Sequence, residues 1–167
     1  MKVLNRDTLI SFALISSSFA STVMASGTAT VNVNATVNGA CAFTTPNATV
    51  NLPSLDPSTS NQADVTASAS LSFWCSQNTS YTITQNSGNN SSTVGSPNMS
   101  DGASHLLPYT LGLLTPGMPI AGTQATGSGA GKNSPIALAV TGTVKYADYS
   151  VAVPGTYTDT VTLTITP

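Results

Sequence analysis

The sequence predicts an all-β chain folded as a sandwich of two sheets. Three observations carry this. Apolar and polar residues alternate with period two over several separate runs, the pattern of strands with one face in a core and one in water. β-Branched residues, which suit a pleated sheet, crowd the strongest of these runs. Gly, Pro, Asn and Ser separate the runs at regular spacing, and no run shows the helical period.

The 167 residues have room for one domain. The first 25 are set apart from it. Lys2 and Arg6 precede an apolar stretch over 9–20 that is broken by serines. Val23, Met24 and Ala25 then offer small residues for cleavage. This is the layout of a secretory signal peptide spanning residues 1–25, and its apolar stretch is too short to cross a membrane as a helix. No other stretch of the mature chain could span a bilayer as a helix.

Residues 28–37 are the first strand-grade pattern. Ala29, Val31, Val33, Ala35 and Val37 alternate with Thr and Asn, and Asn38 and Gly39 supply the turn that ends the run. The next strand carries Cys41 and Phe43. Pro46, Pro53 and Pro57 punctuate the stretch after it. Residues 48–52 are expected as a short edge strand, because Pro53 rules out a central one, and residues 54–63 as a loop. Residues 65–75 are the clearest internal strand. Val65, Ala67, Ala69, Leu71, Phe73 and Cys75 share one face, and Thr66 and three serines share the other with Trp74. That places Trp74 outward, either under a loop or against a neighbouring molecule. Residues 79–85 come next, with Tyr81 and Ile83 inward.

A polar loop is expected over 86–101, then a strand over 106–114 with Leu107, Tyr109, Leu111 and Leu113 on one face. Residues 115–132 read as a Gly-rich connection, and 135–144 as a strand with Ile136, Leu138 and Val140 aligned. After a link over 145–153, Pro154 and Gly155 launch the final and most regular run. There Tyr157, Val161, Leu163 and Ile165 face one way and Thr158, Thr160, Thr162, Thr164 and Thr166 the other. From Gly39 onward the runs amount to about six core strands, one short of the seven of the simple immunoglobulin plan. The chain is expected to stop with the edge of its last strand uncovered. The run at residues 29–37 is left to cover its own domain or that of another molecule.

Charge excludes whole classes of function. The formal net charge is −2 and glutamate is absent. Beyond residue 25, Lys132 and Lys145 stand against Asp56, Asp64, Asp101, Asp148 and Asp159, a net of −3. With no basic patch, nucleic acid is not an expected partner. His105 is the one histidine. A serine nucleophile would have no other base, and the scattered aspartates offer no evident carboxylate pair. Two cysteines and one histidine do not make a zinc site, and no cofactor or other metal is implied. Gly127, Gly129, Gly131 and Lys132 imitate a phosphate loop, but no helix comes after them, so a hairpin tip is expected. In an exported chain, Cys41 and Cys75 are expected to form one disulfide.

Four segments resemble a known family. They are Asn38 to Phe43 around the first cysteine, Leu71 to Cys75 running on to Tyr81 and Ile83, Leu107 to Leu111, and the closing Gly155-x-Tyr157-x-Asp159-x-Val161 pattern with its terminal strand. In this order the chain resembles the spore coat protein U domain, the subunit family of archaic (Csu-type) chaperone–usher pili. The resemblance implies an incomplete immunoglobulin-like β-sandwich lacking its last strand, completed by a donor strand from a neighbouring subunit. It implies a donor-strand extension at 26–37 ahead of a pilin domain at 38–167. Ala29, Val31, Val33, Ala35 and Val37 would be the donor residues. Tyr157, Val161, Leu163 and Ile165 would lie on the acceptor-groove edge. The implied partners are neighbouring subunits, a periplasmic chaperone and an outer-membrane usher. The implied location is a cell-surface fimbrium, reached through the periplasm, that supports adhesion and biofilm formation.

Exposed strand edges aggregate unless covered, and strand donation covers them with main-chain hydrogen bonds. The reading is therefore a structural pilus subunit and not an enzyme. Two alternatives stay open: a monomeric secreted β-sandwich that binds a ligand such as carbohydrate, and a self-contained spore or surface coat protein.

Overall fold

The computed structural model describes residues 26–58, 62–118 and 121–167. The expected signal peptide lies outside them. The chain divides into two units, one ending at Thr36 and one spanning Val37–Pro167. In the first, residues 26–36 form neither helix nor strand, and Val31 and Val33 are 81% and 87% exposed.

The second unit is a β-sandwich. Its first sheet runs in the order β1 (Cys41–Phe43), β2 (Val65–Cys75), β8 (Ile136–Val144) and β6 (Thr110–Leu114), with every neighbour antiparallel. The second sheet is β7 (Gln124–Ser128), β3 (Ser80–Gln85) and β9 (Leu163–Thr166), also antiparallel. A ribbon of β4 (Asn98–Ser100) and β5 (Leu106–Pro108) stands beside them, and α1 (Tyr146–Tyr149) makes one short turn after β8.

The core lies between the two sheets, where alternation puts it. Along β2 the residues from Val65 to Cys75 expected inward are the less exposed set, with Phe73 and Cys75 fully buried. Leu71, Phe73, Leu113, Leu138 and Val140 from one sheet meet Tyr81, Ile83 and Ala125 from the other. The Phe73 and Tyr81 rings meet edge to face at 4.9 Å. Each large apolar side chain removed from water here contributes about 1.5–3 kcal/mol. A second, smaller cluster gathers Leu107, Val144 and Tyr149. There α1 holds the segment that leads into β2, because Tyr149 donates its hydroxyl to the Ala63 carbonyl at 3.0 Å and Tyr146 donates to the Pro57 carbonyl at 3.3 Å.

Cys41 and Cys75 are bonded and face each other across the β1–β2 pair, with their Cα atoms 4.1 Å apart. The expected disulfide therefore staples the short β1 to the longest strand. Trp74 points to the opposite face, as expected, with the Lys132 ammonium 5.4 Å from its ring centroid.

Five expectations need correction. The strand expected over 106–114 is two. The amide of Tyr109 donates to the Pro97 carbonyl, so Leu106–Pro108 pairs with the ribbon and Thr110–Leu114 with the first sheet, while the side-chain alternation runs through the break. The loop expected over 86–101 contains β4, three residues whose only strand signal is their partner. The connection expected over 115–132 contains β7. Its glycine has a reason, since a side chain at Gly127 would collide with the ring of Tyr81 on β3. Residues 48–52 alternate in burial at Val50 and Leu52 but join no ladder. The final run pairs only over Leu163–Thr166, although burial alternates back to Tyr157.

Leu71→Asp would bury an unpaired charge and is expected to abolish folded protein, whereas Ser70→Asp on the outer face should change stability by no more than about 0.5 kcal/mol. Circular dichroism and urea unfolding of the two variants check this, and equal tolerance would invert the assigned faces. Removing the disulfide with Cys41→Ser and Cys75→Ser frees a 34-residue separation. That should lower unfolding stability by roughly 3–4 kcal/mol, read from the urea midpoint with and without reductant.

Candidate functional site

The site is an open groove along the seam of the sandwich. Two extended runs form its walls. Residues 46–52 leave β1, and residues 157–162 lead into β9. Neither run belongs to a ladder. The first is held at its start, where the amides of Thr44 and Thr45 donate to the Ser72 carbonyl at 2.8 and 3.3 Å. The second is held at two points. Thr158 exchanges two backbone hydrogen bonds with Ser100, each 2.9 Å, and Thr162 bonds Asn86 through both its amide and its carbonyl. Between these anchors the backbone of residues 159–161 has no strand beside it.

The groove encloses about 740 Å³. Leu71, Val140, Leu111, Met99 and Tyr109 line its floor, and Phe43 lies at the β1 end. Val50 and Leu52 project from one wall, Tyr157, Val161 and Leu163 from the other. All of these wall residues are only half buried, although alternation points them inward. The space that would bury them is the groove itself.

One polar cluster interrupts this apolar lining. Asp159 is the one charged residue among the lining residues. The Tyr109 hydroxyl donates to its Oδ2 at 2.7 Å, and the Asn89 amide and Asn90 Nδ2 donate to its Oδ1 at 2.9 and 3.1 Å. Gly88 lies so close, at φ +77°, that any side chain there would collide with the carboxylate. Burial pushes the Tyr109 phenol well above its usual pKa, and the Asp159 carboxylate reinforces the shift. Deeper, Gln85 on β3 reaches across to the other sheet and donates through Nε2 to the Leu111 carbonyl at 3.0 Å.

Of the residues singled out from the sequence, Tyr157, Val161 and Leu163 line the groove together. Ile165 does not. It pairs opposite Ile83 and packs against the main core instead. Ala29, Val31, Val33 and Ala35 belong to the first unit and Val37 to the second, and all five are exposed. Sequence reasoning missed residues 46–52 as a wall and Asp159 as a functional position. The signal for Asp159 was present, since it is the one polar residue in the odd-numbered series from Tyr157 to Ile165.

The other candidate chemistry stays dispersed. His105 is exposed, with Nδ1 2.6 Å from Asp101 Oδ2, a hydrogen bond that holds the Asp101 carboxyl below its usual range. Among the described residues no three His, Cys, Asp or Glu side chains gather to hold a metal ion. Gly127 sits within β7, and no described helix is long and apolar enough to cross a membrane.

The Spore Coat Protein U domain family matches residues 27–164 of the chain. Among solved structures, one similar chain comes from the CsuC–CsuE chaperone–tip adhesion subunit pre-assembly complex of the archaic chaperone–usher Csu pili of Acinetobacter baumannii. It is 20% identical with a TM-score of 0.48, and the match covers 78% of this chain and 40% of that one. Another is CfaE, the adhesive subunit of CFA/I fimbria of enterotoxigenic Escherichia coli. It is 19% identical with a TM-score of 0.44, and the match covers 71% and 39% of the two chains. The chain thus spans about two fifths of the length of these solved chains. No curated protein matches it.

Tyr109→Phe removes one hydrogen bond to a carboxylate and is expected to lower stability by about 1–2 kcal/mol near neutral pH. A phenol whose folded pKa lies above its unfolded value stabilises the fold below the unfolded value, 10.0, and loses that contribution as pH rises beyond it. Urea titrations between pH 8 and about pH 11 should show the native protein losing stability more steeply than Tyr109→Phe above pH 10.

Proposed function

The chain belongs to the Spore Coat Protein U domain family, and from that premise we propose that it is a structural pilus subunit whose groove receives a strand from the next subunit. The observation that carries this reading is the pair of extended walls with no ladder between them, over an apolar floor. A chain laid between residues 46–52 and 157–162 would find backbone donors and acceptors on both sides. Its alternate side chains would enter the space that leaves Val50, Leu111, Val161 and Leu163 half buried.

The donor in this reading is the segment at residues 26–37 of a second copy. Its apolar residues recur with period two and are exposed. Burying Val31 and Val33 would contribute on the order of 1–2 kcal/mol each, with less from Ala29 and Ala35. Donor and acceptor are different patches of one chain, so the contact is head to tail and propagates into a fibre. Before assembly a bare groove would invite aggregation, which is the need a periplasmic chaperone meets, with an outer-membrane usher as the site of exchange. The resulting fimbrium lies outside the cell and supports adhesion and biofilm formation.

Val33→Asp would carry a charge into an apolar groove and is expected to abolish polymerisation while leaving the subunit folded. Asn32→Asp, on the opposite side of the same run, should polymerise within a few-fold of the native rate. Fibre length by electron microscopy and mass in solution are the measurements. A native full-length chain that stays monomeric without a chaperone would refute strand exchange and favour a secreted binding module.

A further inference from the structure

The Tyr109–Asp159 hydrogen bond has a place in this groove that its stabilising role does not explain. It joins a floor residue to a wall residue, both of which line the groove. Both carboxylate oxygens are engaged, and the turn at Gly88 is packed against them, so Asp159 has no room to withdraw. A side chain entering the groove opposite Asp159 would meet this bar in place of open volume. Two residues further, Val161 and Leu163 flank the space over Leu71, Leu111 and Val140. Two residues further again, Ile165 has left the groove for the core. The wall therefore reads closed, open, open, closed at positions 159, 161, 163 and 165.

The donor segment has the same spacing and the matching sizes. Residues 29, 31, 33 and 35 are Ala, Val, Val and Ala. The series is the same in both directions, so the match holds whichever way the strand runs. With an alanine opposite Asp159, both valines fall opposite Val161 and Leu163, and the other alanine falls opposite Ile165. A slip of one residue would turn the Thr and Asn side chains into the groove, and a slip of two that brings Val31, Val33 or Val37 opposite Asp159 would drive a valine against the bar.

Resting on the strand-donation reading above, we propose that Asp159, held by Tyr109, is a specificity-determining residue that fixes the register of the incoming strand by admitting only a small side chain at its own position.

The test uses the full-length Val33→Asp chain as acceptor and synthetic peptides copying residues 28–37, with affinity read by fluorescence anisotropy. Peptides carrying Ala29→Leu or Ala35→Leu are compared with the native peptide. Each places a leucine at a closed position, and the one opposite Asp159 is expected to bind at least tenfold more weakly; which of the two the next variant relieves reports the direction of the strand. Adding Asp159→Ala to the acceptor should bring that peptide to within threefold of the native peptide and leave the other unchanged. If the Asp159→Ala acceptor does not fold, Asp159→Ser, which shortens the side chain but keeps a hydrogen-bonding oxygen, is read in its place and should shrink the penalty at least threefold. Equal binding of all three peptides overturns the proposal, as does a penalty that persists in the folded variant. Failure of even the native peptide to bind the Val33→Asp acceptor would instead remove strand donation itself.

Discussion

A backbone that has left its ladder but not its core is the constraint on which this structure turns. Peptide N–H and C=O groups buried without partners are costly, so nearly all are paired. Residues 46–52 and 157–162 run extended along the seam of the sandwich without a strand between them. Water can solvate those backbones only while the groove stays open. Yet an open groove leaves Val50, Leu111, Val161 and Leu163 short of full burial. The two demands conflict within one chain, and the inserted extended segment proposed above would resolve both, pairing the backbones and filling the apolar volume.

The rest of the domain holds the two walls in place with no strand between them. The Cys41–Cys75 bond fixes the strand from which the first wall departs. The second wall is pinned by the backbone exchange between Ser100 and Thr158, by Asn86 at Thr162 and by the donors around Asp159. These contacts explain why the sandwich spends so many residues on the polar stretch between β3 and β5. That stretch is the scaffold of the wall, and Asn86, Asn89, Asn90 and Ser100 each contribute a hydrogen bond to it.

Legibility in the sequence depended on side-chain pattern. The inward faces of β2 and β3 were readable, because Val65 to Cys75 and Tyr81 with Ile83 alternate over enough positions to fix a face. The pairing of two cysteines in an exported chain was readable for redox reasons. Strands made by their partners were not. β7 lacks a large apolar residue and carries a glycine at 127, where Tyr81 occupies the space a side chain would need, and β4 has three residues whose conformation is set by Leu106–Pro108. The break at Tyr109 was hidden because side-chain alternation survives a change of backbone partner. Along the last run the same alternation suggests a longer ladder than the one present, since period two reports which way side chains point and not whether the neighbouring edge is filled. Asp159 shows the converse. A polar residue in an otherwise apolar series was visible, but its meaning needed the position of Tyr109, fifty residues earlier in the chain.

The scarcity of charge carries a consequence of its own. His105 and Asp101 meet through a hydrogen bond that is an ion pair only when the imidazole is protonated. Asp159 is held by a phenol, an amide and a backbone N–H, and among the described residues no ion pair to it is present. Such contacts rely on dipoles at hydrogen-bonding distance, which dissolved ions scarcely screen, whereas separated surface charges lose their attraction within a Debye length of about 8 Å at physiological ionic strength. A domain joined in this way keeps nearly the same internal energy in dilute and in concentrated electrolyte. Rising salt acts on it chiefly through its apolar seam, where it strengthens burial when the anions are kosmotropic. An assembly of such domains would tighten in concentrated sulfate where one stitched by ion pairs would loosen.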